Sequence, residues 1–253
     1  MYFIYTGDVR ANVQPGLSAL HTIFMREHNR IAQHFIDHFD WDGKKVFEET
    51  RRYIAAEIQH ITYNEFLPKL INETILELFG LVPLSNGYFT GYDPYVRPMI
   101  RNAFATAAYR MGHSLLRKTF FFSGSNSDLH TQFNRPDHIY EDWGIEKCTR
   151  GLYENSAQSI DEKITEEVTW KLFEVMAKDG GDLAAFNIQR GRDHGFLVML
   201  LGFIIAPVLQ SKKITLKQEY MVVYNFTAKT LLRNLRMPIS KCTIDDFILL
   251  IVE

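Results

Sequence analysis

The sequence predicts a mainly α protein with long loops and little strand. Three observations carry this. Apolar residues recur at three- and four-residue intervals over residues 20–39, 45–70 and 159–177. Strand-like alternation is scarce, with one weak candidate at 119–122. Residues 81–98 hold three of the eight prolines, which marks a loop and the best place for a flexible boundary.

In chain order, residues 7–17 lack periodicity and contain Gly7, Pro15 and Gly16, so they read as a loop. Ser18 is placed to cap the helix that follows. That helix carries Leu20, Ile23, Phe24, Ile31, Phe35 and Phe39 as one stripe, with Arg26, Glu27, Asn29 and Arg30 opposite. A turn at 40–43 leads to the longest candidate, 45–70, striped by Phe47, Ile54, Ile58, Ile61, Phe66 and Leu70. Pro68 ends or bends it, because proline has no N–H for the helical ladder. A short helix is expected at 74–79 and an Ala-rich one, cut by Gly112, at 101–116. Residues 136–152 start a helix with Trp143 and Ile145 facing inward. Residues 159–177 read as amphipathic through Ile160, Ile164, Val168, Leu172 and Val175, and Ser159 with Glu162 fits a capping box. Another helix begins at 183.

Bulk properties narrow the function classes. A formal charge of −2 over 253 residues gives no electrostatic case for nucleic acid or an anionic membrane. The longest apolar run, 196–209, falls short of the ~20 residues a membrane span needs and reads as a buried helix. No signal peptide is visible, since residues 1–5 run into Gly7-Asp8 without a basic region or cleavage site. Two cysteines make at most one bridge and do not define a redox compartment. Asn72-Glu73-Thr74 and Asn225-Phe226-Thr227 match the N-glycosylation triplet, a short pattern that also arises by chance. The phosphate-binding, nucleophile-elbow and paired C-x-x-C motifs are absent.

Chemistry concentrates in three places. Residues 184–195 pack Asn187, Gln189, Arg190, Arg192, Asp193 and His194 between apolar stretches. In Tyr109–His113, His113 follows Gly112, and a small residue beside a histidine lets a flat ligand approach the backbone. Neutral imidazole ligates iron when an acceptor fixes its other nitrogen. Standing alone, such a histidine is more often a satisfied core residue. Arg110, three residues earlier, and Arg190, three after Asn187, suit carboxylates. Together these residues describe a pocket for an apolar disc with carboxylate edges and an axial ligand. Arg10, between Asp8 and Asn12, suits an anion developing during O–O cleavage, or a plain salt bridge. His34 and His38 stand i, i+4 apart but lack a third ligand, so a solvated face is the better reading.

Four segments together resemble the animal haem peroxidases. They are 6–32 (TGDVRANVQPGLSALHTIFMREHNRIA), 58–67 (IQHITYNEFL), 108–116 (AYRMGHSLL) and 186–195 (FNIQRGRDHG), with a looser match over 143–173. The resemblance implies His113 as proximal haem-iron ligand, with Asn187 accepting from its other nitrogen. It implies Arg110 and Arg190 on the haem propionates and Arg10 as the distal arginine. Val13 stands where the family usually has an ester-forming glutamate, so non-covalent haem b is expected. The family's distal histidine and calcium site belong to sequence upstream of this region, so neither is expected in this chain. The implied arrangement is a haem peroxidase domain fragment over 1–195 and a divergent helical tail over 196–253. The implied function is hydrogen peroxide reduction with oxidation of a halide or small organic donor, weak or absent in this chain. The alternative is a non-enzymatic, haem-binding or adhesive extracellular protein with a matrix or cell-surface partner. The resemblance implies an extracellular location in either case.

Overall fold

The structure is a computed structural model that describes residues 8–195 apart from 98, 123 and 143. The expectations for Trp143 and for 196–253 lie outside the described residues. The described residues form two compact units, one from 8–22 and 101–195, the other from 23–100.

The N-terminal segment folds back on the first helix. A 3₁₀ turn at Val9–Asn12 precedes α1 (Pro15–His38). Proline at the first helical position needs no N–H partner. Gln14 Oε1 instead accepts from Gly16 N at 2.7 Å. Ser18 therefore does not cap the helix, contrary to the expectation from its position. It lies inside α1, fully buried, and its hydroxyl donates to Ala11 O at 2.8 Å, which ties the preceding turn to the helix.

In the second unit, α2 (Gly43–His60) is capped by Asp42, whose side chain accepts from Lys45 N at 2.8 Å. The core joins Ile31, Phe35, Val46, Ile54 and Ile58, with Phe24, Ala32 and Trp41 against it. Each such side chain is worth roughly 1.5–3 kcal/mol when fully buried. The expected stripe on α2 was one residue out at its start: Val46 is buried, whereas Phe47 is 52% exposed. Phe39 is also exposed, stacked on Trp41 at 4.5 Å. The helix does not run unbroken to Leu70. A π-helical turn (Ile61–Phe66) precedes α3 (Leu67–Leu70), and Leu67 N reaches back five residues to Thr62 O. The wider turn falls just before Pro68, whose ring would crowd a regular ladder. Ile61 and Phe66 are exposed as a result. The short α4 (Glu73–Leu78) forms as expected, and Leu67, Leu76 and Leu81 make a second small core.

In the first unit, α5 (Asn102–Thr106) stops at Ala107, whose φ of −138° and ψ of −63° are not helical. The chain continues as a 3₁₀ stretch, Ala108–Leu115, so the single helix expected over 101–116 is two pieces. The strand expected at 119–122 exists as β1 (Thr119–Phe122). It pairs antiparallel with β2 (Ser125–Asp128), Thr119 opposite Asp128. Gly124, with φ of 93°, supplies the backbone the tight turn needs. Phe120 and Phe122 alternate inward. A 3₁₀ turn at Pro136–Tyr140 and α6 (Gly144–Glu154) replace the one helix expected over 136–152, and Ile145 is buried as expected. α6 lies so close to β1 that a Cβ on Gly151 would stand 1.9 Å from Phe121 O.

The amphipathic helix expected over 159–177 is absent. Only α7 (Glu166–Thr169) is helical there. Phe173 and Lys178 have positive φ, and Leu172 pairs with Gly181. Asp179 Oδ1 accepts from Val175 N and Met176 N, which satisfies the backbone without a helix. α8 (Leu183–Asp193) follows, capped by Asp182.

Candidate functional site

His113 stands in the 3₁₀ stretch and is 9% exposed. α8 brings Asn187 to it across 74 positions of sequence, with Asn187 Nδ2 at 2.8 Å from His113 Nδ1. Asn187 is 8% exposed, and its Oδ1 is buried with no partner among the described residues. Burial, and then the nearby charge of Arg110, lowers the His113 pKa to about 4. The imidazole is therefore neutral at physiological pH, the state a metal ligand requires.

The surroundings hold this histidine in place. Ser114, the next residue, donates to Met111 O at 3.1 Å and accepts from Asp161 N. Gln158 N donates to Leu115 O at 3.1 Å, and Arg117 donates to Ser156 O at 2.7 Å. The loop after α6 is thus laced to the 3₁₀ stretch. Beside the histidine, a Cβ on Gly112 would meet nothing within 4 Å, so the backbone there borders open space.

Arg110 is half-buried, and its Nε is buried without a partner among the described residues. Burial lowers its pKa, and Arg190 contributes in the same direction as a neighbouring like charge. Neither arginine makes an ion pair among the described residues. Two guanidinium groups near one another with no carboxylate between them present an uncompensated positive region, which favours an anionic ligand.

Arg10 is placed differently. Its Nε and Nη2 donate to the two oxygens of Asp8 at 2.9 and 2.7 Å, a fork on a carboxylate. The hydrogen bonds from Arg10 lower the Asp8 pKa to about 2. Tyr109 lies within electrostatic reach of both Arg10 and Arg110. Tyr109 also stacks on Phe104 at 5.4 Å. Val13 O accepts from Asn134 N at 3.0 Å. The sequence placed Arg10 beside Asp8 without assigning Asp8 a role, although the two-residue spacing was the available signal.

A second polar cluster was not foreseen. Glu167 is fully buried, accepts from His130 Nδ1 and, at 3.0 Å, from Lys171 Nζ. The hydrogen bonds from His130 and Lys171 outweigh burial and hold the Glu167 pKa below the usual carboxylate range. Asp128 is also close, but an ammonium already occupies Glu167, so the cluster reads as an ion-pair network. His34 and His38 are exposed, and His38 Nδ1 contacts His34 O at 2.8 Å, as befits a solvated face.

The animal haem peroxidase family model matches residues 1–197. A peroxidasin homologue of Mus musculus is 41% identical over 200 residues, covering 75% of this chain and 13% of that protein. Thyroid peroxidase of Sus scrofa is 38% identical over 200 residues, covering 75% of this chain and 21% of that protein. Among solved structures, peroxidase A from Dictyostelium discoideum aligns with a TM-score of 0.63 and 29% identity. That alignment covers 97% of this chain and 49% of the other. This chain therefore spans a small part of such curated relatives. By the extent of the family match and the shared helical fold, the chain belongs to the animal haem peroxidase family.

Proposed function

We propose that this chain binds haem b without a covalent link, His113 being the residue that would hold the iron. The carrying observation is the buried His113–Asn187 pair at 2.8 Å. The residues present fit such a group. The Asn187 carboxamide has two orientations over the same heavy-atom positions. With Nδ2 toward the ring, Oδ1 is a buried orphan. With Oδ1 toward the ring, it would accept from Nδ1–H and leave the lone pair on Nε2 for iron, with Nδ2 taking the other position. Arg110 and Arg190, which have no acidic partner among the described residues, would take the two propionates. Val13 offers no carboxylate for an ester.

Bound there, haem supplies the redox chemistry that reduces hydrogen peroxide and oxidises a halide or a small organic donor. The chain's own part is to hold, orient and polarise. Asn187 fixes the imidazole plane and its proton. Arg10 provides a cation for negative charge developing on peroxide, and Asp8 sets the angle of its guanidinium. Residues 1–195 would form the haem-binding part and 196–253 a separate segment, a division supported by the end of the family match at 197. An extracellular setting, with peroxide and a donor as small-molecule partners, follows from the same relationship.

Titration of the purified chain with ferric haem tests this. Wild type is expected to develop a Soret band that His113→Ala abolishes. An unchanged band in the variant, or none in either, overturns the proposal. Donor oxidation by the haem-loaded chain then separates peroxidase turnover from haem binding alone.

A further inference from the structure

Asn72, Glu73 and Thr74 form an Asn-x-Thr triplet, and all three are exposed. Asn72 is the N-cap of α4, with extended backbone at φ −69° and ψ 157°. Its Oδ1 accepts from Ile75 N at 3.0 Å. Nδ2 makes no hydrogen bond among the described residues. The two ends of this carboxamide therefore have separate fates. Oδ1 belongs to the helix cap, and Nδ2 faces no protein acceptor. The one buried residue of α4 is Leu76, so the triplet lies outside the small core that α4 serves. A substituent on Nδ2 leaves the cap acceptor in place and displaces nothing packed.

From this we infer that Asn72 is an N-glycosylation site, used when the chain passes through the secretory pathway. The inference rests on the extracellular setting proposed above. The co-substrate is an oligosaccharide carried on a lipid diphosphate. The Asn72 amide nitrogen forms a bond to the anomeric carbon, and the bond from that carbon to the diphosphate oxygen breaks. The lipid diphosphate leaves, and the amide proton is lost to base. The Thr74 hydroxyl completes the recognition triplet. No electrons are exchanged, and the Oδ1 hydrogen bond to Ile75 N persists in the product.

The test targets the full 253-residue chain to the secretory pathway of cultured cells behind a cleavable leader. Total chain is recovered from cells and medium under denaturing conditions, and leader cleavage confirms entry. Glycan release by an endoglycosidase is read as a gel shift, and the site as conversion of Asn72 to aspartate by mass spectrometry. Wild type is expected to lose a glycan at residue 72. Asn72→Asp keeps a capping oxygen and is expected to lack that glycan, as is Thr74→Ala, whereas Thr74→Ser retains it. Asn225, in the second triplet, is scored separately by its own peptide. An unmodified Asn72 peptide on leader-cleaved chain overturns the assignment. The same peptide from the chain's natural source addresses location: if unmodified there but modified on the targeted chain, the extracellular reading fails and the acceptor assignment stands.

Discussion

Replacing Asn187 by alanine is expected to weaken haem binding by ~10–100-fold without unfolding the chain. Axial ligation through Nε2 obliges His113 to carry its proton on Nδ1. His113 and Asn187 are 9% and 8% exposed, so water does not readily replace the lost acceptor. A buried N–H left without a partner costs ~1–3 kcal/mol. At ~1.4 kcal/mol per decade, that corresponds to roughly 5–150-fold in affinity, which brackets the first figure. Without haem the ring is not obliged to hold its proton on Nδ1. The apo protein then loses about one ordinary buried hydrogen bond, roughly 1 kcal/mol. The assay is a haem titration followed at the Soret band, with chemical unfolding of the apo chain beside it. Asn187→Asp restores an acceptor and is expected to recover binding and shift the band, because a carboxylate makes the imidazole a stronger donor to iron. If Asn187→Ala binds haem as tightly as wild type while His113→Ala does not bind, Asn187 does not orient the ligand and the argument fails.

Three other outcomes follow from the same geometry. Arg110→Leu removes a half-buried charge that feels the like charge of Arg190, so apo stability is expected to hold or rise while haem affinity falls by ~10-fold or more, the worth of one charge-assisted contact. Thermal unfolding and haem titration read the two effects, and a parallel loss of both would contradict it. The folded Asp8 pKa of about 2 lies below its ordinary 3.8. Its pairing therefore stabilises the fold above about pH 4, and that contribution is lost as pH falls toward 2. Arg10 is 42% exposed, so solvent screening limits the difference from Asp8→Asn to about 0.5–1 kcal/mol. Unfolding curves at stepped pH should show the two proteins converging in that window. Glu167→Gln keeps the volume of a fully buried side chain but removes the charge shared by His130 and Lys171. A loss of ~2–3 kcal/mol in urea unfolding is expected, below the full value for a buried pair because Lys171 is 33% exposed. No measurable loss would mean the network is solvated.

The helices that read clearly are those whose packing partner is close in sequence. α1 and α2 are neighbours joined by a short turn, and their stripes meet in one core. Phe47 misled because an aromatic outweighs a valine in any pattern. The helical surface, not side-chain size, chose Val46, Thr50, Ile54 and Ile58. Residues 159–177 carried a stripe as regular as that of α1, yet α7 keeps only four residues of it. There the backbone found long-range and turn partners, Gly181 for Leu172 and Asp179 for Val175 and Met176, that a local pattern cannot register. β2 was invisible because its sequence, SNSD, has no apolar alternation, and it is a strand only by pairing with β1.

The candidate site was legible for a different reason. His113 and Asn187 are 74 residues apart, and no periodicity joins them. They were linked because the segments that carry them, 108–116 and 186–195, resemble those of the animal haem peroxidases. Glu167, more deeply buried and 37 residues from His130, lies in the region of looser resemblance and carried no such signal. Local conflict is the feature that distinguishes the first pair. The helix breaks at Ala107, at the start of the 3₁₀ stretch that carries the histidine. Arg110 is half-buried without an acid, beside another arginine. Asn187 leaves an oxygen unpaired in the interior. Each of these costs stability in the isolated fold, and Glu167 shows that the same fold satisfies a buried charge when nothing else is asked of it. A single anionic disc held by His113 would answer both the two uncompensated arginines and the buried His113–Asn187 pair. That convergence, more than any one residue, is why haem binding is the reading that Asn187→Ala and Arg110→Leu are chosen to break.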